Sequence, residues 1–196
     1  MLRAATGLLA IAAGAGIAGC QPQAAPAAFH GSDISGSEVG KGWALPDVDG
    51  TPRSAKDYTG KVAVVFFGFI HCPDVCPTTL AQLTQVKQNL GKDGERLQVL
   101  FVTVDPERDT PEIMRDYLSR FDPSFVGLRG SPDQLAAAAK TFKAFYAKVP
   151  GEADGAYTMD HSSGMYAFDP EGNVRLYLRH GQSIEDITAD IRRLLG

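Results

Sequence analysis

The sequence predicts an α/β domain with a mixed central sheet and helices on both faces, and three observations carry that prediction. Two continuous apolar runs rich in β-branched residues, Lys61–Phe67 (KVAVVFF) and Leu97–Val104 (LQVLFVTV), have the character of strands buried on both faces. Segments with helical patterning and clear start signals alternate with them. Near the C-terminus two short apolar segments flank a turn-rich pentapeptide, which reads as a hairpin. The chain has 196 residues, a net charge of −4 and 21% charged residues, so it is one ordinary globular domain with an appendage and has no basic footprint for nucleic acid. Its three cysteines are too few for a disulfide-stapled miniprotein or a four-cysteine zinc site, and at least one must lie outside any internal pair.

In chain order, residues 1–20 read as an address. Arg3 precedes an apolar run from Leu8 to Ala18, the charged and apolar regions of an export signal, and the run is shorter than the ~20 residues a spanning helix needs. Ile17-Ala18-Gly19-Cys20 resembles a bacterial lipobox, which makes Cys20 the expected lipid attachment point and the expected location a bacterial cell envelope, on a membrane facing the periplasm. Such a compartment lets disulfides persist. Residues 21–40 are rich in Ala, Pro, Gly and Ser without periodicity and read as a flexible tether spanning roughly 25 Å. The domain is then expected at 41–196.

Within it, strand Lys61–Phe67 leads through Gly68-Phe69-Ile70-His71 into Cys72-Pro73-Asp74-Val75-Cys76-Pro77. Pro77 starts a helix with an apolar stripe of Leu80, Leu83, Val86 and Leu90, ended by Gly91. Strand Leu97–Val104 follows. Asp109-Thr110-Pro111 places a cap residue before proline at the first helical position. Ser131-Pro132-Asp133-Gln134 is a capping box for an Ala-rich helix running to about Tyr146. Met165–Phe168 and Val174–Leu178 flank Asp169-Pro170-Glu171-Gly172-Asn173, and an amphipathic helix closes the chain from Ser183 to Leu195. Parallel strands joined through helices, then a hairpin and a helix, form a thioredoxin-like arrangement.

Cys72 and Cys76 sit where a buried strand gives way to a helix, the sheet edge at which α/β domains bind ligands. The helix start favours thiolate, so at least one sulfur is expected to ionise readily. One helical turn separates the two, about 6 Å between Cα atoms. That lies within the window of about 4.4–6.8 Å that a disulfide closes, so the pair can oxidise to a bridge or close on one metal ion. A static staple is the plainer alternative, but so small a loop removes little entropy from the unfolded chain. The three-residue spacer differs from the two of ordinary thioredoxins. Val75-Cys76-Pro77-Thr78 invites comparison with peroxiredoxins, which want Thr or Ser where this chain has Pro73.

Of four histidines, His30 lies in the tether and His180 beside Arg179 on the surface, while His71 abuts the motif and is placed to tune thiol acidity. His161 falls in Thr158-Met159-Asp160-His161-Ser162-Ser163, read as a polar loop before the hairpin. In a thioredoxin arrangement that loop lies against the cysteine motif, at the place of a cis-proline; here no proline occurs between Gly151 and Asp169.

The run Phe67–Pro77, then Asp105-Pro106-Glu107-Arg108-Asp109-Thr110-Pro111, then Asp160-His161-Ser162, resembles the Sco/SenC family from about Trp43 to the C-terminus. The resemblance implies a membrane-tethered, thioredoxin-fold copper protein of cytochrome c oxidase assembly, with Cys72, Cys76 and His161 as copper ligands. Thiolates select Cu(I), an imidazole suits copper, and a three-ligand site stays open to an incoming ligand as transfer requires. Asp74, Asp160 and His71 are candidate residues around the ligands. Arg108 is placed to neutralise a nearby acid in an otherwise rigid turn.

The function implied is a metallochaperone rather than an enzyme, delivering copper to the CuA site of oxidase subunit II. Another periplasmic copper chaperone or a thiol reductant is the expected further partner. The alternative is a thiol–disulfide oxidoreductase that reduces the target cysteines before metal insertion, a role needing Cys72 and Cys76 but not His161.

Overall fold

The computed structural model describes residues 28–196. Strand β1 (Ser32–Asp33) is followed by a small ribbon of β2 (Leu45–Pro46) and β3 (Pro52–Arg53), and then by β4 (Val62–Gly68). Helix α1 (Val75–Asn89) leads to β5 (Leu97–Thr103), α2 (Pro111–Ser119), β6 (Val126–Leu128) and α3 (Pro132–Phe142). The chain then forms β7 (Tyr146–Pro150), β8 (Tyr157–His161), β9 (Met165–Phe168), β10 (Val174–Leu178) and α4 (Ile184–Leu195).

Six strands make one sheet in the order β1-β10-β9-β4-β5-β6. β4, β5 and β6 run parallel, while β9 is antiparallel to β4 and to β10. Every residue of β4 and β5 is buried, as parallel strands covered on both faces require. The pleat sends neighbours to opposite faces. Phe66 and its register partner Phe101 point one way, where Phe101 meets Tyr117 of α2 at 6.2 Å. Phe67 points the other way and meets Phe142 of α3 at 5.2 Å. Helices therefore cover both faces, and α1 packs against α4.

The helix starts follow the sequence. Thr110 caps α2 by accepting from Ile113 N, Ser131 and Gln134 form the capping box of α3, and Ser183 caps α4. α1 begins earlier than Pro77, at Val75, which places Cys76 inside its first turn.

Two further sequence expectations change. Residues 28–40 are packed on the domain instead of tethering it. β1 pairs with β10, the buried Asp190 carboxylate accepts from His30 N (2.9 Å) and Gly31 N (2.7 Å), and Gly40 N donates to Thr141 O (2.8 Å). Backbone bonds and isolated anchors hold this segment, so it lacks the periodic apolar face that patterning detects. Residues 1–27, including the export signal and Cys20, lie outside the described residues. Second, α3 stops at Phe142, because Lys143 turns left-handed (φ 53°), and Tyr146 opens β7 instead of ending a helix. No glycine marks that stop. Among the described residues no helix is long and apolar enough to cross a membrane.

Candidate metal centre

The site begins where β4 ends. Gly68 leaves room there: a Cβ on it would lie 2.7 Å from the Phe101 ring and 2.9 Å from Cys76 Sγ. The chain turns through Phe69–Cys72, with Cys72 N donating to Phe69 O, and enters α1. Both cysteines are free thiols, Cys72 half-buried and Cys76 fully buried. Cys76 N, a free donor at the helix start, points at Cys72 Sγ from 3.4 Å. Burial pushes the Cys76 thiol well above its ordinary value, against the N–H that Phe69 donates to it. At Cys76, then, desolvation outweighs the helix start, and binding a cation through this sulfur releases its proton.

His161 arrives from the far side of the sequence on β8. It lies at the end of a strand instead of in a loop, because β8 pairs with β7 from Tyr146↔His161 to Pro150↔Tyr157. Its Nδ1–H donates a hydrogen bond to Ser162 O (2.9 Å), which leaves the Nε2 lone pair facing the sulfurs, 3.5 Å from Cys76 Sγ. Ser162 is itself fixed: its N–H donates to Phe145 O and its hydroxyl accepts from Phe145 N, both at 2.9 Å. Phe66 and Phe69 meet the imidazole edge-on at 6.2 and 5.8 Å. Burial holds the imidazole pKa below its usual value, so the ring is neutral, the form that ligates, at pH 7. Cys72, Cys76 and His161 thus present one ligand atom each, all within 4.8 Å of one another.

The other candidates stay outside this cluster. Asp74 is exposed at the start of α1 and accepts from Thr78 Oγ1 (3.4 Å), touching neither sulfur nor imidazole. Asp160 is exposed, and its charge acts on His161 only through space while the ring's hydrogen bond goes to Ser162. His71 is exposed beside the motif and its charge is felt by Asp109. His30 pairs with Asp186 (3.2 Å) and His180 is exposed.

Sequence reasoning passed over Asp109. This fully buried carboxylate accepts from Thr103 Oγ1 (2.6 Å) and from Ile70 N (3.2 Å), bracing the turn that leads to Cys72. Its only signal was membership of the Asp105–Pro111 run, read there as a turn and helix start. Arg108 does meet an acid, as expected, pairing with Asp105.

The SCO1/SenC family model matches residues 32–196. The mitochondrial SCO2 homolog of Mus musculus is 39% identical over 158 residues, 79% of this chain and 62% of that protein. The copper-bound ScoI of Bradyrhizobium japonicum is 39% identical with a TM-score of 0.72, covering 80% of this chain and 99% of that one. Copper-bound yeast Sco1 is 34% identical with a TM-score of 0.71, covering 79% and 87%. The chain spans about 60% of the length of the mammalian relatives it matches. On the match of the family model over residues 32–196, together with relatives of 39% identity, this chain belongs to the SCO1/SenC family.

Proposed function

We propose that this protein is a copper metallochaperone that holds its cargo through Cys72 Sγ, Cys76 Sγ and His161 Nε2. The observation that carries the reading is the convergence of these three atoms within 4.8 Å, from segments 85 residues apart. Two thiolates and an imidazole match copper in ligand softness, and three protein ligands leave a position through which a receiving site exchanges. With Cu(I) the two thiolates leave one net negative charge, and with Cu(II) none, so both oxidation states are electrostatically tolerable. Membership of the family and the copper held by its Bradyrhizobium and yeast members support the same cargo.

By the same family resemblance the recipient is the CuA site of cytochrome c oxidase subunit II. A second periplasmic copper chaperone or a thiol reductant serves as the supplying partner. The lipobox at Cys20 supports anchoring to a bacterial membrane facing the periplasm. In the test, the reduced full chain is titrated with Cu(I) and Cu(II) beside Cys72→Ser, Cys76→Ser and His161→Ala. Each cysteine variant should lose tight binding and His161→Ala should weaken it. Wild-type affinity in all three would refute the reading.

A second role rests on the asymmetry of the thiols. The half-buried Cys72 is placed to attack a target disulfide, with buried Cys76 one turn away to resolve the mixed disulfide. Such a reductase needs both cysteines and not His161. Oxidase assembly that survives His161→Ala but not Cys72→Ser would favour it over copper delivery.

A further inference from the structure

The ribbon β7–β8 carries His161, yet it belongs to its own two-stranded sheet and shares no ladder with the six-stranded one. What sets its position is therefore a question of side chains. Among the described hydrogen bonds, those from residues 146–161 to distant parts of the domain run from His161 to Cys76 and to the Phe67 backbone of β4, and otherwise to the turn after β5. Arg108 Nη1 donates to Tyr157 O (2.9 Å), and Tyr157 Oη donates to Asp105 Oδ1 (3.0 Å). The Arg108 guanidinium lies 3.7 Å from the centre of the Tyr157 ring while its Nε donates to the buried Asp105. Lys148 covers the ring at 3.8 Å and reaches Glu107 (2.8 Å).

The same turn braces the cysteines. Asp109, next to Arg108, takes the Ile70 N–H two residues before Cys72, and Val104 N donates to Gly68 O (2.8 Å). Tyr157 and His161 are the first and last residues of β8, on one face and about 13 Å apart at the usual strand rise. A strand is stiff over that length, so a shift at Tyr157 reaches the imidazole.

We infer that Arg108 and Tyr157 are positioning residues that set the distance between His161 and the cysteine pair, by indexing both halves of the site to the Asp105–Asp109 turn. The inference rests on the three-ligand copper reading. Arg108 suits the task because its planar fork holds the Asp105 carboxylate and the Tyr157 carbonyl at once while stacking on the ring, which a lysine cannot do.

The test uses the reduced full-length chain, with Arg108→Ala, Arg108→Lys and Lys148→Ala. In the metal-free protein, NMR of the His161 ring reports its position against Phe66 and Phe69 and the proton on Nδ1. Arg108→Ala should shift these resonances, and Lys148→Ala, which loses only an exposed ammonium on the Tyr157 ring, should shift them less. With Cu(II), Arg108→Ala should lose about tenfold to hundredfold in affinity, and its thiolate-to-copper absorption and nitrogen hyperfine signal should move toward those of His161→Ala. Added to His161→Ala, it should cost no further affinity, because its effect runs through the imidazole.

Wild-type ring resonances and copper spectra in Arg108→Ala overturn the inference, as does an equal loss with and without His161. If Arg108→Ala fails to fold, Arg108→Lys decides: an intermediate shift supports the inference and wild-type values overturn it. A wild-type chain that binds no copper defeats the copper reading instead, while the metal-free resonances still judge the positioning role.

Discussion

Cys72 and Cys76 stand on a strand–turn–helix unit whose parts are adjacent in sequence, whereas His161 stands on a detached ribbon brought in over 85 residues. The cysteine half is anchored in the most buried part of the molecule. β4 is wholly buried, Cys76 is sealed under Gly68 and Phe101, and Asp109 braces the turn from behind. The histidine half is held by backbone bonds of the imidazole to Ser162 and Phe67, a pair of bonds to Phe145, the buried Met159 of β8 and one polar clamp at Tyr157. The contrast separates a rigid pair, able to hold copper or each other, from a third ligand whose contribution depends on tertiary placement.

The largest blow to this arrangement should fall on the histidine side. A Cβ at Gly164 would lie 2.2 Å from Tyr177 Oη and 2.3 Å from Cζ, a clash with a partly buried ring. Gly164→Ala should cost about 3 kcal/mol in urea unfolding and displace Ser162 and His161, weakening Cu(II) more than Cu(I). Gly68→Ala presses directly on Cys76 Sγ and Phe101. It should cost about 2 kcal/mol and weaken both oxidation states alike, since it moves a thiolate and not the imidazole. Equal Cu(I) and Cu(II) effects in Gly164→Ala would remove the distinction between the two halves.

A third probe reads the brace by pH. Burial raises the Asp109 pKa, aided by the charge of Asp105 and opposed by the Thr103 hydroxyl, the Ile70 N–H and His71. The folded value lies above the unfolded one near 3.8, so the native state binds this proton first. The cost of the buried charge is full above the folded pKa and disappears as pH falls below the unfolded value. Through this group alone, acidification from neutral stabilises the fold. Asp109→Asn should lack that component in unfolding curves measured from pH 7 to 4, and identical profiles would contradict it. The smallest effect is a control on the opposite helix layer: Ser131→Ala, which loses the α3 capping box, should cost about 1 kcal/mol and leave copper affinity unchanged.

The same contrast governs what could be read from the sequence. The Cys72–Cys76 unit was legible because a buried strand, a turn and a helix stripe follow each other without interruption. His161 was legible as a residue, through Asp160-His161-Ser162 following two earlier motifs, but not as part of a strand. β7 and β8 are short, half-exposed and polar, and the helix before them ends at Lys143 without a glycine to announce it. The packed segment 28–40 escaped for a related reason, since backbone bonds to Asp190 and Thr141 leave no compositional trace. Asp74 and Asp160 looked like neighbours of the ligands in sequence, yet a helix start and strand alternation turn both to solvent. Ser162 and Asp109, which do orient the site, act through a backbone carbonyl and across 39 residues, and neither leaves a pattern.

The central claim is that one copper ion is held by both sulfurs and the imidazole. X-ray absorption of the copper-loaded full chain tests it most directly. The account predicts two sulfur neighbours and one imidazole nitrogen, with the nitrogen lost in His161→Ala and one sulfur lost in Cys72→Ser or Cys76→Ser. A copper shell with fewer than two sulfurs, or one unchanged in His161→Ala, would contradict it.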